Sequence, residues 1–468
     1  MRGYVRFILA VMLAAVAAVG SARGEEAWKK YNDGNITWLY QMVDGNSCRI
    51  KPASYRFGTP TLTIPSRVED GGRSIGVVEI ADAAFDDCKT LTSVVIPEGV
   101  TTIGDRAFES CINLSKVSIP SSVVKIEAWA FAECSRLTSV TIPEGVAEIG
   151  WGAFADCSGL QRIEVAPGNP RYHAEEGVLF GTEHDSKSGK EVKALMCCPV
   201  GRAGEYRIPS DVEMIRGEAF LGCSGLTSVT IPSSVTTIEH RAFRGCSGLV
   251  SATIPAGVAT IESGTFEGCS GLTKVTIPSS VTTVESGAFR GCSGLTSVTI
   301  PSSVTTIRDG AFSGCSRLER IEVESGNLRY HDESGVLFGT VRDPMSGKEV
   351  KALICCPAGR AGEYKIPDDV EEVALDAFSG CSKLTKVSLP RRIELRGIYL
   401  FDGCIALEEI EAESHDEEGR YYYTQDGVLF SSKEERTLVR CPLGKRGAYE
   451  IPSGVEVIGK GAFAGVAS

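Results

Sequence analysis

"CSGLTSVTIPSSVTTIRDGAFSG", residues 292–314, decides the fold, because the chain keeps repeating it. Its core, "SGLTSVTIPSSVTTI", stands letter for letter at Ser224–Ile238 and again at Ser293–Ile307. Within the stretch, Val298 and Ile300 alternate with Ser297 and Thr299. That alternation marks a short strand with its apolar side chains inward and its hydroxyls outward. Pro301 ends the strand, since proline has no N–H to give a ladder. Val304 and Ile307 bring apolar groups back inside on the return path. Gly310-Ala311-Phe312 reads as a tight helical turn whose Phe fills the interior, and Cys315 closes the circuit beside the next Leu.

The beat is 23 residues. Phe85, Phe108, Phe131 and Phe154 keep it, then Phe220, Phe243, Phe266, Phe289 and Phe312, then Phe378 and Phe401. A Cys follows each Phe by three: Cys88, Cys111, Cys134, Cys157, Cys223, Cys246, Cys269, Cys292, Cys315, Cys381 and Cys404. A fixed period in this range predicts a leucine-rich-repeat type of solenoid, mainly β with short helical turns. One copy buries too few apolar side chains to offset the ordering of its backbone, about 1–2 kcal/mol per residue. Stacking on neighbours completes the burial, so repetition is how such a chain makes a core.

Strand positions equivalent to Ile300 are Ile96, Ile119, Ile142, Val165, Ile208, Ile231, Ile254, Ile277, Val323, Ile366, Leu389, Ala412 and Ile451. The step is 23 residues except after Val165 and Val323, where it is 43, and after Ala412, where it is 39. Three turns therefore carry insertions, about 166–205, 324–363 and 413–448, and the sheet is expected to continue through them. Each insertion reads as a β-hairpin: Gly177–Thr182 pairs with Val192–Cys198 around Ser186–Gly189. The first two insertions lie 158 residues apart, as do Cys157 and Cys315, which implies duplication of a block of repeats. Residues 25–76 differ. They carry Trp28, Trp38 and Tyr40 and an irregular first copy, "LTIPSRV", at Leu62–Val68, and they predict a cap on a solenoid running from 77 to 468.

Residues 1–24 read as an export signal. Arg2 and Arg6 precede an apolar run from Phe7 to Val19, and Ala22-Arg23-Gly24 suits cleavage before Glu25. An uncleaved anchor is the alternative. The run is short for a membrane-spanning helix, so no span is expected after cleavage. The expected destination is outside the cytoplasm: secreted, periplasmic or cell-surface. The chain's net charge of −12 over 468 residues argues against nucleic acid as a partner.

The 23-residue copies, with the interposed pattern Tyr…Gly-Val-Leu-Phe…Cys-Pro…Tyr-x-Ile-Pro, resemble the BspA-like leucine-rich repeat family of bacterial surface and secreted proteins. The resemblance covers nearly all of the mature chain. It implies a right-handed solenoid with a concave parallel sheet. It also implies partners among host extracellular-matrix proteins, or a part in adhesion and coaggregation.

The Cys ladder is the most tempting site to misread. Eleven Cys at this spacing fit no zinc pattern. Parallel Cβ vectors on adjacent rungs give poor disulfide geometry, so buried free thiols are expected. The total of 17 Cys is odd, which leaves at least one unpaired within the chain. So many thiols on an exported protein suit a poorly oxidising niche. In the insertions Cys198, Cys356 and Cys441 should face inward, and Cys197 and Cys355 outward, where a redox or dimerising role is the alternative to incidental exposure. His173 and His331 sit beside Glu175, Glu176, Asp332 and Glu333 without a second His at ligand spacing, so solvated turns are expected and no metal. The sequence carries no pattern for a catalytic His-Glu metal helix, a serine nucleophile elbow or a phosphate loop. Paired carboxylates such as Glu371-Glu372 fall on predicted surface. No enzyme activity and no cofactor are expected.

What remains is surface. The candidate ligand-binding positions are Arg162, Glu164, Ser228, Thr230, Lys274, Thr276, Ser297, Thr299, Arg320 and Glu322, all on the outward strand face. The expected function is a non-catalytic, monomeric exported scaffold binding a protein or glycan. A structural spacer of the cell envelope is the first alternative, and a secreted enzyme the remote one.

Overall fold

The computed structural model describes residues 27–54, 60–186, 188–342, 347–391, 393–395, 397, 400–412, 422–431 and 436–466. The export signal expected over 1–24, the hairpin-tip residues Lys187, Met345 and Ser346, and the start of the third insertion at 413–421 lie outside them. The chain divides into two compact units, residues 1–131 with 145–153, and residues 132–144 with 154–468. Both are built of β-solenoid coils.

In the first unit, strands Lys29–Asn32, Thr37–Met42 and Ser47–Pro52 run antiparallel. The last pairs in parallel with Arg73–Ile80, and Ile80 then leads a ladder through Ile103, Ile126 and Ile149. A second parallel ladder joins Thr61–Thr63, Ser93–Val95 and Lys116–Ser118. The irregular first copy is therefore a true rung. Between the ladders the Phe rings form a column. Phe85 and Phe108 stack at 4.9 Å, Phe108 and Phe131 at 5.2 Å, and the buried Trp38 meets Phe85 edge-on at 6.3 Å.

The second unit repeats the plan. Ser251–Thr253 lies against Lys274–Thr276, and Ser297–Ile300 against Arg320–Val323, with Val298 opposite Ile321 in the core. Two-residue strands such as Thr260–Ile261, Thr283–Val284 and Thr306–Ile307 form the return ladder. Phe220, Phe243, Phe266, Phe289 and Phe312 stack in sequence at 4.8–5.5 Å between centroids.

The Phe-bearing turn is not helical, and no helix occurs among the described residues. Gly310 and Gly314 have φ of +67° and +73°, two residues either side of Phe312. A left-handed residue at each end stops a helix from propagating. Alternate N–H groups are committed elsewhere. Ala311 N–H donates back to Arg308 O at 3.3 Å, whereas Phe289 and Gly291 N–H donate to Ala311 O and Ser313 O of the next coil, both at 2.8 Å. The turn is thus half local and half inter-coil.

The insertions are three-stranded meanders rather than simple hairpins. Tyr172–Glu175 precedes the expected pair, which runs Val178–Asp185 against Lys190–Cys197. Tyr330–Glu333 and Tyr422–Gln425 do the same. The turns Glu176-Gly177, Ser334-Gly335 and Asp426-Gly427 all have positive φ at both residues, the two-residue turn that suits a twisted hairpin. The last meander strand rejoins the return ladder, Leu195 opposite Ile215 and Leu353 opposite Val373.

Two further expectations are corrected. The long-strand sheet does not continue through the insertions. Ile163 N–H donates at 2.8 Å to Gly177 O, where a following strand would have offered its carbonyl. Ile321 does the same with Gly335 at 2.8 Å and Ile410 with Gly427 at 2.9 Å. The meander's own turn occupies the strand edge, and a new ladder restarts at Gly204–Arg207 and Ala361–Lys365. At the far end Ile451 lies in no strand and is 44% exposed. The last described strand of the third insertion, Thr437–Arg440, pairs with Val457–Ile458, beyond Ile451 in the chain.

Candidate functional site

Each outward residue of the long strands is placed by its inward neighbour. Val298 and Ile300 are buried, so Thr299 between them must face out, and it is exposed. The same logic exposes Thr230, Thr276 and Lys274 and leaves Ser228 and Ser297 half-buried. Parallel pairing then sets these side chains in rows: Ser228 opposite Ser251, Ser251 opposite Lys274, Thr253 opposite Thr276. Neighbouring rungs of such a row are about 4.8 Å apart.

Charged rungs bound this hydroxyl strip. Arg162 Nε lies 3.0 Å from Glu164 Oε1, and Arg320 Nε lies 2.8 Å from Glu322 Oε1. Each ion pair joins residues i and i+2 on one face, and all four side chains are at least half exposed. Such pairs contribute only about 0.2–1 kcal/mol to stability. Their charge stays available to a partner.

Sequence reasoning missed four residues of the same face. Glu205 stands opposite Ser228 and Arg207 opposite Thr230, while Glu363 stands opposite Lys386 and Lys365 opposite Ser388. The signal was present: "GEYRIP" and "GEYKIP" alternate around a buried Tyr as "SVTIP" alternates around a buried Val. Across each of the first two insertions an Arg-x-Glu rung is thus followed by a Glu-x-Arg or Glu-x-Lys rung.

The meanders carry a second polar constellation. Lys193 Nζ reaches Glu175 at 2.8 Å and Asp211 at 3.0 Å, and lies 5.2 Å from the Phe180 ring centre. Lys351 repeats this with Glu333, Asp369 and Phe338. Burial acts to lower the Lys193 pKa, but the two carboxylates outweigh it and hold it above its ordinary value. The Lys193 hydrogen bond in turn lowers Glu175 and Asp211. His173 stacks on Phe180 and touches Glu175 at 3.0 Å. The ammonium sits where a metal would need to be, and the described residues hold no group of three or more metal-ligating side chains. Glu372 departs from expectation: it is buried, because it falls on the two-residue strand Glu372–Val373 of the return ladder.

The Cys ladder is buried and reduced. Where one 23-residue coil follows another, six of its thiols share a partner, the Phe carbonyl 26 residues earlier, whereas Cys223 and Cys381, just after the insertions, donate to the Cys198 and Cys356 carbonyls. Cys246 Sγ donates to Phe220 O at 3.1 Å, Cys269 to Phe243 O at 3.0 Å and Cys292 to Phe266 O at 3.1 Å. Burial pushes the Cys269 and Cys315 thiols up to about 12. In the insertions Cys198, Cys356 and Cys441 are buried, and Cys197 and Cys355 only partly so. Titrating the native protein with a thiol reagent at pH 7 is therefore expected to modify at most two sites, Cys197 and Cys355, and slowly, because burial raises both thiols as well. In denaturant all 17 should react. Fast modification of ladder thiols in the native state would contradict the packing.

Comparison with known families finds the BspA type leucine rich repeat region, matched over residues 74–172, 202–332 and 360–425 in six copies. Among solved structures, a leucine rich cell surface protein from Faecalibacterium prausnitzii is 26% identical, with 64% of this chain and 96% of that chain covered and a TM-score of 0.41. A leucine-rich repeat protein from Eubacterium ventriosum is 22% identical over 62% and 95%, with a TM-score of 0.37. The pneumococcal vaccine antigen PcpA is 17% identical over 83% and 94%, with a TM-score of 0.44. No curated protein matches the chain. Among the described residues no helix is long and apolar enough to cross a membrane.

Proposed function

The chain belongs to the BspA-type leucine-rich repeat family, and on that premise we propose that it is an exported, non-catalytic scaffold. Its outward strand face engages a protein or glycan outside the cell, and host extracellular-matrix proteins are the first candidates. One observation carries this reading. The outward positions from Ser228 to Thr276 present a polar strip in register, Ser297 and Thr299 stand in register with Arg320 and Glu322, and charged rungs occur at Arg162/Glu164, Glu205/Arg207 and Arg320/Glu322. Such a surface offers hydrogen bonds and complementary charge along an extended partner. In this reading residues 1–24 direct export, residues 25–76 cap the stack, and the mature chain works as a monomer.

The ion pairs within single rungs also favour a second reading, a spacer of the cell envelope, since each Arg already has a carboxylate beside it and needs no partner from outside. The two readings separate in one binding experiment. Immobilised extracellular-matrix proteins and glycans are probed with the mature chain and with an Arg162→Glu/Arg320→Glu variant. The scaffold reading expects saturable binding to at least one of them. The variant should lose about tenfold in affinity, steepest at low salt. Its unfolding free energy should change by less than about 1 kcal/mol. Binding that is absent throughout, or unchanged in the variant, leaves the spacer reading standing.

A further inference from the structure

A cleft of about 480 Å³ opens in the second unit between the coil of Phe312 and the coil of Phe378, lined among others by Thr305, Thr340, Val341, Leu375 and Asp376. The second insertion makes it. The two coils touch at Gly314 and Gly380, where a Cβ on Gly380 would come within 3.0 Å of Gly314 Cα. Elsewhere they part. The Ala377 carbonyl stands where the previous coil's Phe N–H would bond, yet it accepts from Cys356 N–H at 2.8 Å. Meander residues thus fill the place of a neighbouring coil, and they leave a gap beside it. Clefts of this size suit small molecules.

One end of the cleft is chemically distinctive. Ser313 is 5% exposed, and its Oγ has no hydrogen-bond partner. Native structures rarely leave a buried hydroxyl unsatisfied without a reason. Around Gly310, the point where a Cβ would stand lies 3.0 Å from Asp376 Oδ2, 3.1 Å from Arg290 Nη2 and 3.3 Å from Ser313 Oγ. The Asp376 carboxylate and the Arg290 guanidinium are 3.8 Å apart, too far for a good direct hydrogen bond. Ser313 and Asp376 thus line the cleft beside Gly310, Arg290 stands next to Asp376 at its edge, and Gly310, having no side chain, leaves their polar atoms uncovered. The positions 158 residues before Arg290 and Ser313 are Ala132 and Ala155, which have no polar side-chain atom. The duplicated block thus differs at these positions, and the triad belongs to the second copy.

We propose that this cleft binds a small neutral polyhydroxylated ligand, a sugar, through adjacent hydroxyls held by Asp376, Arg290 and Ser313. The triad offers an acceptor, a charged donor and a group that serves as either, with no net charge, and the other charged residues of the lining, Arg308 and Arg329 against Asp309 and Glu372, balance as well. A lone anion would face Asp376, and a lone cation would face Arg290. Two neighbouring hydroxyls can donate to the carboxylate and accept from the guanidinium at once. Val341, Ile354 and Leu375 supply apolar wall for the C–H face of a ring, and Thr305 and Thr340 supply further hydroxyls. The site is separate from the outward strand face and stands whether or not that face binds anything.

Ligand-observed NMR of the full mature chain with glucose, galactose, mannose and N-acetylglucosamine tests it, with acetate and methylammonium as charged probes. At least one sugar is expected to bind saturably, in the millimolar range or tighter, and neither charged probe should compete. Asp376→Asn and Ser313→Ala should each weaken that sugar about fivefold or more, and Gly310→Ala, whose methyl covers the Asp376 and Ser313 oxygens, by more than tenfold. Circular dichroism checks that each variant is folded, and Ser313→Ala removes a single oxygen, so at least one variant stays informative. The proposal is overturned if no sugar binds, if acetate or methylammonium displaces the sugar, or if folded variants bind as well as the parent. Loss of strand-face binding in the charge-reversal variant, with sugar binding intact, would show the two sites to be independent.

Discussion

Replacing Phe266 by alanine is expected to destabilise the second unit by about 3–5 kcal/mol, the usual cost of emptying a buried aromatic site. Phe266 is 1% exposed, and its ring stacks on Phe243 at 5.4 Å and on Phe289 at 5.5 Å. Its main chain is fixed on both sides as well, since Phe266 N–H donates to Ala288 O and Phe266 O accepts from Cys292 Sγ. The coils around it therefore cannot close over the void without breaking inter-coil hydrogen bonds. Phe266→Leu keeps most of the volume and should cost less than half as much. Urea unfolding followed by far-ultraviolet circular dichroism reads both values. Because each coil touches only its neighbours, amide exchange should accelerate in the coils next to residue 266 and much less in distant ones. A loss below about 1 kcal/mol for the alanine variant would mean that the column is not a principal source of stability.

The second large effect depends on phase. Removing residues 247–269 joins Cys246 to Ser270 and deletes one whole period. The coil of Phe243 then meets the coil of Phe289, whose inward residues match those removed: Leu272 for Leu249, Ile277 for Ile254, and Val275 in place of the smaller Ala252. This shortened chain is expected to fold cooperatively, with a midpoint within a few degrees of the parent. Removing only residues 258–269 joins Gly257 to Ser270. Strand 251–253 would then run into the next strand with no return segment between them. That chain should lose its cooperative transition, because no coil can close around half a circuit. Circular-dichroism melting of the two deletions decides the matter. Equal damage from both would rule out interchangeable coils as the basis of the fold.

Much of this architecture was legible because one side-chain pattern recurs. The inward Val298 and Ile300, the outward Thr299 and the buried Phe and Cys follow from alternation and period alone. What was not legible depended on partners far along the chain. Nothing local to Ile163 says that Gly177 will take its N–H, so the sheet was expected to run on where a meander turn stops it. Gly310-Ala311-Phe312 has the look of a helical turn, and only the neighbouring coil's carbonyls reveal why it is not one. Glu205 and Arg207 were overlooked because their strand begins inside an insertion. Ile451 stands as far before Phe463 as Ile300 does before Phe312, yet it lies in no strand. The grouping of Arg290, Gly310, Ser313 and Asp376 joins positions up to 86 residues apart across an insertion, and no periodicity places them together.

The sameness of the coil-to-coil contacts also bears on how such a gene can change. The identical segments at Ser224–Ile238 and Ser293–Ile307 begin 69 residues apart, which is three periods. Where the DNA beneath them is equally alike, unequal recombination there adds or removes three complete coils and leaves the reading frame and the packing undisturbed. The length of the outward face is then a heritable variable that can drift or be selected quickly, while the meanders at either side keep their chemistry.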